Sequence, residues 1–97
     1  MEGDIMAFEE VEVNGTVAAL TTDIYAPADG AQGAQAVVTA EGGDMRYRLD
    51  GQDPTVDSGH ILRDGAILVL KSIYSIRKFR AINTTETAGK LSVSYES

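Results

Sequence analysis

No window of this chain longer than a single turn carries apolar residues at helical spacing, and that property does most to restrict its fold. The chain holds instead short runs of alternating or β-branched residues, cut by turn chemistry every ~8–12 positions. Residues 8–13 read as a strand ending in Asn14-Gly15, a hairpin signal, with residues 17–20 as its return strand. Residues 23–33, with Pro27, read as a loop, and residues 35–40 as a strand closed tightly at Gly42 and Gly43. From Met45 to Leu49 the alternation is strict, with Met45, Tyr47 and Leu49 inward and Arg46 and Arg48 outward. Asp50, Gly51, Asp53 and Pro54 then force the chain to reverse. Residues 58–63 read as extended, and Asp64-Gly65 as a second hairpin pair. The apolar run at residues 66–70 has the character of a buried strand. Ile73 and Ile76 allow one helical turn. Residues 78–82 alternate, setting Phe79 and Ala81 against Lys78, Arg80 and Ile82, and residues 91–95 place Leu91, Val93 and Tyr95 inward. The expectation is an all-β chain, a small β-sandwich or jelly-roll-like domain of about seven or eight short antiparallel strands. Residues 1–97 form one domain, with residues 1–7 as an N-terminal arm.

Charge is divided unevenly along this domain. Residues 1–44 hold nine acidic residues and no Lys or Arg, whereas all eight basic residues lie between Arg46 and Lys90. Either acidic and basic strands pair within the fold, or the two halves present patches of opposite sign to neighbours. The overall charge of −7 disfavours nucleic acid, because phosphate contacts need a basic footprint. With no cysteine there are neither disulfides nor thiolate metal sites, which fits synthesis in a reducing cytoplasm. No run is long and apolar enough for a membrane span, and the acidic N-terminal segment does not read as an export signal. A chain of this size folds with a narrow margin, so burial in an oligomer would add to its stability.

Candidate chemistry is sparse. Ser58 and His60 share a face on an extended strand, yet nothing marks an acid to orient the imidazole or an oxyanion hole. A lone histidine excludes a multi-histidine metal site. Asp50, Gln52, Asp53 and Asp57 cluster oxygens without the calcium-loop spacing, which suits residues capping their own turns. The glycine pairs lack the phosphate-binding spacings. No catalytic residue, metal or cofactor is expected. The candidate site is a basic interface of Arg46, Arg48, Arg77, Lys78 and Arg80, formed if their strands are neighbours. Its alternatives are docking onto an acidic protein surface or a solvated face paired with Glu9 or Glu12. Sugar binding would want exposed aromatic platforms, and the chain has no Trp.

The segment from Met45 to Thr55, followed by Ser58-Gly59-His60, Asp64-Gly65, Phe79-Arg80-Ala81-Ile82 and the closing strand at residues 91–95, resembles small tailed-bacteriophage virion structural proteins. The resemblance covers residues 35–95; the N-terminal hairpin matches only in character. Its core, Tyr-x-x-Asp-Gly-x-Asp-Pro-Thr, is also similar to β-sandwich modules appended to chitobiase-like glycoside hydrolases, where it shapes a strand and turn. The phage resemblance implies a capsid decoration (cement) or head–tail accessory protein, located in the virion after synthesis in the bacterial host. It also implies a homo-oligomer whose partners are the major capsid protein or other virion proteins. The contact regions expected are the basic face and the loops at residues 23–33 and 50–59. A neck or tail subunit and a carbohydrate-binding adhesin module are the alternatives.

Overall fold

A computed structural model describes residues 5–21, 35–84 and 88–96 of the chain. Its strands are β1 (Ile5–Val13), β2 (Ala18–Ala19), β3 (Gln35–Glu41), β4 (Met45–Arg48), β5 (His60–Leu62), β6 (Ile67–Leu70), β7 (Arg80–Asn83) and β8 (Gly89–Glu96). One helix, α1 (Ile73–Lys78), lies between β6 and β7, and the Ser72 hydroxyl caps it by accepting from the Ser75 amide at 3.2 Å. Two four-stranded sheets result, β1-β8-β3-β6 (sheet I) and β2-β7-β4-β5 (sheet II), antiparallel throughout. The all-β expectation holds, and the chain is a small β-sandwich.

Alternation explains the core. Sheet I sends Val13, Val38, Leu70, Leu91, Val93 and Tyr95 inward, and sheet II answers with Met45, Leu62 and Ala81. Phe79, just ahead of β7, and Ile76 of α1 complete the packing. Tyr47 is half-buried, its ring stacked on Phe79 at 5.9 Å and tilted against His60 at 5.3 Å.

The turn residues act differently from the hairpins they suggest. β1 pairs with β8 and β2 with β7, so the Asn14-Gly15 bend carries the chain across the core rather than back along the same sheet. A hairpin there would place both strands side by side in one sheet. The crossing instead sets Val13 and Leu20 on opposite walls of one core. Asn14 shapes the corner by accepting the Thr16 amide and hydroxyl on Oδ1, at 3.4 and 3.2 Å. Asp64-Gly65 is likewise a corner from β5 in sheet II to β6 in sheet I, and Gly42-Gly43 leads from β3 in sheet I to β4 in sheet II. Among consecutive described strands, only β4 and β5 pair directly with each other.

Four further expectations are corrected. The apolar run at residues 66–70 is the outer strand of sheet I, and its register with β3 sets Ile67 and Val69 on the outer side, 66% and 40% exposed. Period-two parity overrides composition there: only Leu68 and Leu70 of β6 face the core. Leu49 falls in the bend beyond β4 and is exposed rather than inward. Lys78 ends α1 and does not share the β7 face. β1 begins at Ile5, so residues 5–7 of the expected arm belong to sheet I. Residues 1–4, and the loop expected at 23–33, lie outside the described residues.

Candidate functional site

β4 and β7 are neighbours, and their register brings three arginines of the expected interface onto the outer side of sheet II. Arg48 lies opposite Arg80, and Arg46 opposite Ile82 on one side and Ile61 on the other. Like charges directly opposed on a sheet repel, so each guanidinium needs a local partner. Arg48 forms a two-point pair with Asp50, its Nε donating to Oδ1 at 3.0 Å and its Nη2 to Oδ2. That pair, with the Gln52 amide also donating to Asp50, holds the Asp50 carboxyl below its usual range and pushes the Arg48 guanidinium up. Among the described residues Arg80 donates to backbone carbonyls, those of Arg77 at 2.9 Å and Phe79 at 2.8 Å, and Arg46 to the Gly59 carbonyl at 2.9 Å. Among the described residues, neither Arg46 nor Arg80 meets a carboxylate. Arg77 and Lys78 are exposed in the last turn of α1, where cations suit the helix end, and lie beside this face rather than on it.

The second expected contact region, residues 50–59, is the connection between β4 and β5. It is tied down at its start by the Gly51 amide donating to the Lys78 carbonyl at 3.2 Å, and further on by the Thr55–Ser58 bridge. At Gly59 (φ +130) a Cβ would stand 3.1 Å from the Tyr47 carbonyl and 3.2 Å from Pro54, so the loop closes on β4 only because this residue has no side chain. Between loop and strand lies an open cleft of about 590 Å³ lined by Arg48, Asp50, Ser58 and His60. Ser58 and His60 therefore share a cleft, as their spacing suggests. The imidazole, however, rests against the Tyr47 ring, and Asp50 is engaged by Arg48 and its own turn. A nucleophilic triad needs that carboxylate on the imidazole.

Among the described residues, the expected pairing of Arg46, Arg48 or Arg80 with Glu9 or Glu12 is not found, because β1 lies in the other sheet. Glu9 faces inward, accepting the buried Tyr95 hydroxyl and, at 3.1 Å, the Thr21 amide. Glu10, Glu12, Glu41 and Glu96 occupy the outer side of sheet I with Lys90, whose Nζ stands 2.9 Å from Glu10 and 3.8 Å from Glu41. The hydrogen bond from Lys90 to Glu10 raises the lysine pKa. The uneven charge of the chain has thus become two outer faces of opposite sign. Register reveals this, whereas the order of residues alone leaves it open.

No protein-family model matches the chain, and no curated protein or solved structure is significantly similar to it. Among the described residues, no helix is long and apolar enough to cross a membrane.

Proposed function

We propose that this is a non-enzymatic virion structural protein of a tailed bacteriophage, a capsid decoration or cement protein that binds and stabilises the assembled head. The observation that carries this reading is the arginine face of sheet II. Arg46 and Arg80 lie on a regular sheet beside Ile61 and Ile82, without a carboxylate among the described residues. Guanidinium groups flanked by apolar side chains on a rigid surface are the composition of protein-docking patches. The resemblance at residues 35–95 supplies the virion context, with the major capsid protein or another virion protein as partner. Binding only to the assembled shell stabilises it by mass action.

Co-sedimentation of the purified chain with capsids at physiological salt tests the proposal. Binding is expected, with at least a ~tenfold loss on Arg46→Glu together with Arg80→Glu. A folded chain that leaves capsids bare overturns the decoration role. Electron microscopy separates a head coat from a ring at the neck or tail. Binding on a glycan array in place of capsids would favour the adhesin alternative.

A further inference from the structure

Sheet I carries a second outer face whose chemistry complements the first. Rows across it run Phe8, Ser94, Val37, Val69 and Glu10, Ser92, Thr39, Ile67, and a third row sets Glu12, Lys90 and Glu41 side by side. Three of these apolar side chains, Phe8, Ile67 and Val69, stand well out of the surface, Phe8 at 57% exposure. The carboxylates outnumber the one lysine, and Glu12 has no ion pair among the described residues. Across the sandwich, sheet II offers arginines, Ile82 and a 46% exposed Ile61. Arg46, Val56 and Ile61 also border a shallow recess of about 110 Å³, whose far wall is Thr84 and the paired Asp44 and Arg63.

We infer that, away from the capsid, the arginine face of sheet II takes the outer face of sheet I on a second copy of this chain, so that free copies join head to tail and the capsid competes for the same face. This rests on reading the arginine face as a protein-docking surface. Charge decides the pairing. Sheet I against its own copy sets carboxylates against carboxylates, and sheet II against its own copy sets arginines against arginines. Only sheet I against sheet II brings opposite signs together with apolar side chains on both sides. Phe8 is the aromatic anchor, and the recess beside Arg46 and Ile61 is its seat. A standard interface takes roughly 800 Å² from each partner, about one-seventh of the 5404 Å² surface and within the reach of one sheet face. Since each copy carries both faces, the contact propagates into a ring or a filament rather than stopping at a dimer.

Sedimentation velocity of the full chain tests the inference. Association beyond the monomer is expected at low salt, weakened at least ~tenfold at about 500 mM salt, where screening leaves only a few ångströms of reach. Glu12→Arg alters sheet I alone and Arg80→Glu sheet II alone, and each variant is expected to be monomeric under conditions where the parent associates. Mixing the two variants restores association, because the unaltered sheet I of one meets the unaltered sheet II of the other. Circular dichroism establishes that each variant is folded, and Arg46→Glu replaces Arg80→Glu if the latter unfolds. A monomeric parent chain overturns the inference, as does a variant that still associates alone or a mixture that stays monomeric. Capsid binding by a chain that never self-associates overturns it while leaving the docking reading intact, whereas absence of both removes both.

Discussion

The Asp44 carboxylate accepts the Asp64 amide on Oδ1 at 2.9 Å and the Arg63 guanidinium on Oδ2 at 2.9 Å. Its backbone carbonyl takes the amide and hydroxyl of Thr84, both at 3.0 Å. Asp64 reciprocates by accepting the Gly42 amide at 3.1 Å, so two aspartates tie the β3–β4 and β5–β6 corners together and hold the chain leaving β7 against them. The Asp64 amide first, and Arg63 second, hold the Asp44 carboxyl below its usual range, and Arg48 does the same for Asp50. A carboxyl lowered on folding binds its proton more readily in the unfolded chain. The stability it contributes is therefore fully present above the unfolded value of ~3.9 and is lost as pH falls through the lower folded value. Urea unfolding from pH 5.5 downward should accordingly show stability declining below pH ~4. Asp44→Asn should start less stable and decline less steeply. A decline identical to the parent's would mean that Asp44 contributes nothing to acid sensitivity.

At the scale of elements, the beginning of β8 runs against the end of β3 with no space for a side chain. A Cβ on Gly89 would stand 2.7 Å from the Glu41 carbonyl and 3.0 Å from Met45 Cε, and one on Gly42 2.9 Å from Gly89 Cα. Gly89→Ala should cost about 1–3 kcal/mol in denaturant unfolding, as overpacking does. Gly15→Ala, where a Cβ meets nothing within 4 Å, should be close to neutral. Equal effects at the two sites would mean that backbone freedom, not contact, sets the cost. The strands themselves were legible in the sequence because parity at Met45–Tyr47 and Leu91–Tyr95 is a local property. The Ile73/Ile76 spacing allowed the helical turn of α1 for the same reason, and its cap by Ser72 was not read. The partner of each strand was not legible. Asn14-Gly15 and Asp64-Gly65 fix that the chain turns, but a hairpin and a corner use the same residues. The exposure of Ile67 and Val69 follows from pairing with β3, and Asp44 gains its role from corners about 20 and 40 positions away. The arginine face was legible only as a condition, that β4 and β7 be neighbours, and the pairing of Arg48 with Arg80 meets it.

Across the whole molecule, the chain passes from one sheet to the other at every step between consecutive described strands except β4 to β5. β1 and β8, from opposite ends of the sequence, are paired, and the Glu9–Tyr95 hydrogen bond joins residues 86 positions apart. Such interleaving leaves neither sheet a continuous segment of its own that could remain folded when the other opens. Each sheet also buries its inner side against the other, so losing one exposes the apolar side of its partner. The domain should therefore unfold as one cooperative unit. Leu91 lies wholly buried in β8 of sheet I, and Leu91→Ala should cost about 2–5 kcal/mol. Native-state hydrogen exchange can follow amides of β4 and β7 in sheet II that exchange by global unfolding, well away from the substitution. Their protection should drop by the same free energy as that of the β8 amides. A loss confined to sheet I would show that the sheets open separately, and the crossings would then constrain the path of the chain without coupling its stability.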